Sequence, residues 1–321
     1  MTLPSAVDSV EAATGLRSQA EPRPSRLSRK HREWLAAYLF LLPDALGLFL
    51  FLGVPMALAL SLGFFEVDGF GHYTYIGLDN YRQMFNDQVF LDSLRVTGKY
   101  VLILVPGLYV TGLGLALLVN QKLPMIPIFR GMIFVPYVIS LVVVALVWQF
   151  MLVNRIGMVN KFLSRIGLEG QSWLGDPKYS LGSLLVVTIW FLAGYYMIIF
   201  LAGLQEIPRE LYDAARIDGA SALRMFRDLT LPLLRPTSFF VLLISLVTAV
   251  AGQQGFDLVY VMTQGGPAYS TNLVVFYIYQ QAFQFSHYGY AAAMASFLVV
   301  VLVLLTGILF AVTRGGRFDF D

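Results

Sequence analysis

The sequence predicts an all-α, polytopic integral membrane protein with six transmembrane helices, and three observations carry that prediction. First, 57% of its 321 residues are hydrophobic and only 13% are charged, about half the charged share of an ordinary soluble domain. Second, apolar stretches recur near 35–64, 97–119, 130–152, 181–203, 237–258 and 289–312, each long enough to cross about 30 Å of hydrocarbon. Third, the basic residues are sorted. Fifteen of the 22 Lys and Arg fall on the side that holds both termini, and seven on the other. The positive-inside rule then places both termini, the 120–130 loop and the 205–236 loop in the cytoplasm.

Taken in order, residues 1–33 are polar and end in the cluster Arg23, Arg26, Arg29, Lys30, Arg32. They predict a disordered cytoplasmic tail ahead of a transmembrane domain at 34–313, with a short cytoplasmic tail at 314–321. Asp44 sits near the inner end of the first span, and Pro55 and Pro106 predict kinks. The 56 residues before Arg314 contain no Asp, Glu, Lys or Arg. Hydropathy alone would allow an extra helix at 272–285. The Gly265-Gly266-Pro267 break argues instead for a segment that does not cross, either re-entrant or interfacial.

The stretch Glu206–Pro236 is the long charge-rich segment between two apolar ones. Five arginines (Arg209, Arg216, Arg224, Arg227, Arg235) alternate with five acids (Glu206, Glu210, Asp213, Asp218, Asp228). Pro208 suits a first helical turn and Gly219 a left-handed helix end. Ser221 suits an N-cap for a second helix, Ala222 to about Thr230, which Pro232 and Pro236 should keep from running on unbroken. Leu211, Ala214 and Ala215 share one helical face, and Leu223, Phe226 and Leu229 another. Two amphipathic helices at about a right angle are expected.

Asp213-Ala214-Ala215, then Gly219, then Leu229-Thr230-Leu231-Pro232 resembles the EAA loop of ATP-binding-cassette importer permeases. Aspartate stands here for the usual first glutamate, and Leu229 for the usual isoleucine. Thr263–Phe283, with its Gly-Gly-Pro, and GLDNYRQMF at 77–85 resemble the first of the two paired maltose-type sugar permeases. Together the likeness covers the chain from about residue 35. It implies the type I importer permease fold, a cytoplasmic coupling loop and a prokaryotic cell-membrane location. Its implied coupling residues are Glu206, Glu210, Asp213, Ala214, Ala215, Asp218, Gly219, Arg224, Phe226, Arg227, Leu231 and Pro232. The partners it implies are a second homologous permease, a dimer of ATPase subunits and an extracytoplasmic solute-binding protein, all working in the lipid bilayer.

The residues themselves offer little catalytic chemistry. There are no cysteines, and His31, His72 and His287 are scattered, so no thiolate or histidine metal site is expected. No GxxxxGK[ST] loop exists, so ATP and Mg are expected to be used by a partner rather than bound by this chain. A net charge of +2 gives no reason to expect a nucleic-acid partner. The spans carry uncharged polar and aromatic groups instead. Thr188, Trp190, Tyr195 and Tyr196 lie on the fourth; Ser245, Thr248, Gln253, Gln254, Asp257 and Tyr260 lie on or after the fifth. Such groups face protein or a watery cavity, since lipid would leave them unpaired. The mixture suits sugar hydroxyls and sugar C–H faces. The resemblance places Tyr195, Thr248, Gly252, Gly255 and Asp257 at solute-contact positions, with Gln253 and Gln254 beside them. Gly252, Gly255 and Asp257 depart from the amide and apolar residues expected there. The reading is therefore a permease subunit for a sugar. A non-sugar solute such as glycerol phosphate, an ATP-independent secondary transporter and an intramembrane enzyme stay open as alternatives.

Overall fold

A computed structural model describes residues 29–67, 71–121 and 124–313, with side chains described from residue 33. Residues 1–28 of the tail expected at 1–33, and the whole of the tail expected at 314–321 with Arg314 and Arg317, lie outside the described residues, as does Lys122. The contacts divide the chain into a unit ending at Ala57 and one from Leu58 onward.

The first unit is the helix α1 (Arg29–Leu48), a π turn (Phe49–Gly53) and the start of α2 (Val54–Ser61). The helix begins six residues before the expected span and takes Arg29, Lys30 and Arg32 into its first turns. Arg and Lys are good helix formers, so nothing in that stretch forces an earlier end. The π turn lies just ahead of Pro55, whose missing N–H cannot bond the preceding turn. Phe40 and Phe51 are 84% and 85% exposed, a surface suited to lipid.

In the second unit, Phe65–Val67 (β1) pairs antiparallel with Tyr73–Tyr75 (β2), a two-stranded addition to an otherwise helical chain that hydropathy did not predict. Then come α3 (Asp79–Asn86), α4 (Gln88–Val119), α5 (Ile126–Val138), α6 (Leu141–Met151) and α7 (Met158–Arg165). The longest packing interface joins α4 to α8 (Pro177–Glu206). Tyr100, Leu104 and Leu108 of α4 are buried there with Tyr196 and Phe200 of α8. The Tyr100 hydroxyl meets Thr188 Oγ1 at 3.1 Å, so Thr188 holds helices together rather than lining a path. Gly194 lets α5 lie directly on α8: a Cβ there would meet Phe134 Cα at 2.7 Å and press on the Ile133 carbonyl.

Four helical stretches among the described residues are long and apolar enough to cross a membrane: Glu33–Phe64, Gln88–Val119, Pro177–Glu206 and Tyr288–Val312. Two bent pairs bring the number to as many as six. The stretch expected as one span at 130–152 is broken by 95° between α5 and α6. Pro136 removes a donor from the last turn of α5, and Ser140 opens α6 with its carbonyl accepting from the Val144 N–H. The α4 helix starts at Gln88, nine residues before the expected edge, because the Asp87 carboxylate accepts from the Val89 and Phe90 N–H groups.

The expected 237–258 span is α12 (Arg235–Ala251), reached after α9 (Arg209–Ile217), α10 (Ala222–Met225) and α11 (Leu231–Leu233). It stops at Gly252, whose extended backbone starts a new helix, α13 (Gln253–Met262). After a cis Gly266-Pro267 bond the chain turns into α14 (Val274–Tyr279) and then α15 (Tyr288–Val312). The first half of the 272–285 segment is thus packed among the helices, while Phe283 and Phe285 near its end are exposed. Asn272, Leu273, Val274, Phe276 and Tyr277 are buried, and the Val274 N–H donates to Thr97 Oγ1 of α4 at 2.9 Å. With six residues, α14 is far too short to cross.

Candidate functional site: a charged helical loop and a polar cavity

The charged loop forms as two helices joined at Gly219. Pro208 stands at the N-cap of α9, one residue outside the expected first turn, and Glu210 lies in the first turn, where it complements the helix dipole. Gly219 adopts φ +75°, the left-handed conformation that closes α9. Asp218 precedes it as C-cap. Ser221 caps the second helix, its hydroxyl accepting from the Arg224 N–H.

That second helix runs past the expected end at Thr230. A π turn at Phe226–Thr230 shifts its hydrogen-bond register before Pro232, so the helix continues to Leu233 and then bends by 68° into α12. Arg216 pairs with Asp213 at 2.9 Å and Arg227 with Asp228 at 2.8 Å, all on the surface. The Tyr212 hydroxyl reaches Thr230 Oγ1 at 2.9 Å and ties the two helices into one unit.

Of the predicted loop residues, Glu206, Glu210, Asp213, Ala214, Asp218, Gly219, Arg224 and Arg227 are exposed, while Ala215, Phe226, Leu231 and Pro232 are half-buried. The sequence reading did not include Ile217, which is 87% exposed, and Leu223 beyond the turn is 76% exposed. Apolar side chains this bare, on either side of Gly219 in a charged loop, need a cover. Between the loop and the ends of α4, α5 and α8 lies a groove of about 1140 Å³ lined by Arg130, Arg209, Tyr212, Arg216 and Phe226, among others.

A second cavity, of about 310 Å³, is lined by Tyr137, Ser140, Leu141, Val142, Phe191, Gln253, Gln254 and Asp257. Its walls come from the α5–α6 break, α8 and the first turn of α13. Of the residues expected to contact solute, Gln253, Gln254 and Asp257 line it. The other predicted contacts do not line it. Tyr195 sits one layer behind, its ring stacked on Tyr137 at 4.9 Å and 23°. Thr248 belongs to the last turn of α12, with its carbonyl accepting from the Gly252 N–H and its side chain beside the buried Tyr196 hydroxyl. Gly252 is the helix break itself. Gly255 is buried and faces Leu273 and Tyr100. The wall expected as one helix is split at Gly252, and only residues of the second piece, Gln253, Gln254 and Asp257, line the cavity. Tyr137 and Ser140 were missed because only the α5–α6 break brings them to it, and Phe191 because only the packing of α8 against that break shows which face it presents.

Residues 109–315 match the family described as binding-protein-dependent transport system inner membrane component. The chain belongs to this family. It is 35% identical over 282 residues to the sulfoquinovosyl glycerol transport system permease protein of Agrobacterium fabrum, covering 87% of this chain and 91% of that one. It is 34% identical over 297 residues to the lactose transport system permease protein of Rhizobium radiobacter, covering 90% and 98%. It is 30% identical over 293 residues to the trehalose/maltose transport system permease protein of Thermococcus litoralis, covering 91% and 97%. Among solved structures, a bacterial alginate importer in complex with its pentasaccharide-bound periplasmic protein superposes with a TM-score of 0.75 at 28% identity, covering 88% of this chain and 95% of that one. The chain is thus an all-α, multi-pass permease component of a binding-protein-dependent transport system.

Proposed function

We propose that this permease forms half of the translocation path for a sugar, delivered by an external binding protein and driven by a separate ATPase. The observation that carries it is the 310 Å³ cavity, whose amides, carboxylate and hydroxyl stand among the Tyr137 and Phe191 rings. Hydroxyls of a saccharide satisfy the former and its C–H faces pack on the latter. The named cargo of the relatives supports the same reading.

The other half of the path belongs to a second permease of the same build. The loop from Glu206 to Pro236 docks on one subunit of an ATPase dimer, with Ile217 and Leu223 as apolar contacts and the paired arginines and acids around them. ATP and Mg act there and not on this chain. Both termini and the loop are cytoplasmic. As the ATPase dimer closes, the two permease loops move together and the cavity exchanges inward for outward access. The test is co-expression with the neighbouring ATPase, permease and binding-protein genes, followed by uptake of labelled trehalose, maltose and lactose into proteoliposomes. Uptake of at least one sugar that requires both ATP and the binding protein is expected. A complex that takes up none of them, or takes them up without ATP, contradicts the reading.

A further inference from the structure

We infer that Asp257 makes this cavity a charge filter, which accepts neutral or amino-bearing sugars and rejects acidic ones. The inference rests on the transport reading above and narrows its solute class. Asp257 lines the cavity, and among the described residues no Lys, Arg or His lines it with Asp257. Nor does any described cation form an ion pair with Asp257: the ion pairs among those residues lie in α3, at the start of α4 and in the charged loop. The other polar side chains on its walls are two carboxamides and the hydroxyls of Ser140 and Tyr137, all neutral.

The Gln253 carboxamide donates to this carboxylate, and its remaining acceptor sites are met by water or by donors that the solute brings. Sugar hydroxyls donate to it, and an ammonium donates with opposite charge. A sulfonate, phosphate or uronate would face it with like charge and without a cation from the described residues of this chain to compensate. At about 6 Å and an effective dielectric near 20, that repulsion lowers occupancy by roughly a hundredfold. Overall similarity does not decide the point. A relative named for sulfoquinovosyl glycerol and one named for lactose match this chain at 35% and 34% identity.

The chain contains no cysteine, so the field in the cavity can be measured without knowing the solute. Ser140 is exposed and its hydroxyl caps nothing, which makes Ser140→Cys a mild probe. In the whole complex in nanodiscs, the rates at which this thiol reacts with cationic trimethylammonium-ethyl and anionic sulfonato-ethyl methanethiosulfonate are compared by mass spectrometry of this chain. The ratio of cationic to anionic rates should exceed that of a free thiol by about tenfold, collapse on adding Asp257→Asn and persist with Asp257→Glu. A ratio unmoved by Asp257→Asn, or a thiol sealed from both reagents, overturns the filter. Binding-protein-dependent sugar uptake alongside an unmoved ratio sinks the filter and leaves the importer standing. Absence of all such uptake sinks the importer reading itself.

Discussion

Asp87 gathers four donors on one carboxylate. It accepts from the Val89 and Phe90 N–H groups at the start of α4 and from the hydroxyls of Tyr277 and Tyr290, at 2.6 and 2.7 Å. Burial alone would raise its pKa, but the two tyrosine hydroxyls and the two N–H groups outweigh burial and hold it below the usual carboxylate range. A carboxyl depressed in the folded state stabilises above its unfolded pKa, about 3.9, and that contribution is lost as pH falls through the folded value. Asp87→Ala should cost about 2–4 kcal/mol, from a lost cap and two stranded hydroxyls. It should also flatten the fall of Tm below about pH 4. Thermal denaturation of the nanodisc complex across pH 3–7 reads both, and equal acid slopes for the two proteins would sink the assignment. At this scale the sequence was only partly legible. Asp257 shows itself as a carboxylate near a span, but nothing local separates it from Gly255, two residues away and turned toward Leu273 and Tyr100. Tyr277 and Tyr290 lie about 200 residues from Asp87, so their convergence is a product of the fold.

The elements were read best where their signals are local. Gly219 and Ser221 stand at the turn and the cap that their chemistry predicts, because a positive φ and an N-cap hydroxyl are decided within a few residues. The α5–α6 break was missed, whereas the second loop helix runs only three residues past Thr230 before it bends between Pro232 and Pro236. A π turn or a proline bend depends on what tertiary packing tolerates, and hydropathy averages over it. Two substitutions test this scale. Gly194→Ala sets a methyl against the backbone of Ile133 and Phe134, which cannot swing aside as a side chain would. It should lower stability by about 1–3 kcal/mol, seen as a reduced Tm, and an unchanged Tm would contradict the close α5–α8 crossing. Ile217→Asp, on a bare side chain with little folding role, should leave Tm within experimental scatter yet weaken ATPase association at least tenfold in pull-down titrations. Full association would mean that the loop tip is not the docking surface.

For the whole molecule, composition and the length of the apolar stretches reached the class, because span length is a property of the chain as a polymer in lipid. How helices converge around a cavity is not such a property, and it emerged only from packing. Orientation is tested with the native absence of cysteine. Tyr269→Cys, 55% exposed, should react from outside intact cells with an impermeant maleimide, whereas Ser221→Cys should react only after lysis. Labelling of Ser221→Cys in intact cells would invert the topology. The central claim is that a sugar path in this chain is driven through the charged loop. Its most direct test is uptake of labelled sugar into proteoliposomes holding the complete complex, with wild type beside Gly219→Val, whose β-branched side chain opposes φ +75°. The account predicts ATP-dependent uptake in wild type and, for Gly219→Val, continued ATP hydrolysis with uptake reduced at least tenfold. Equal, ATP-driven uptake by both proteins would contradict it.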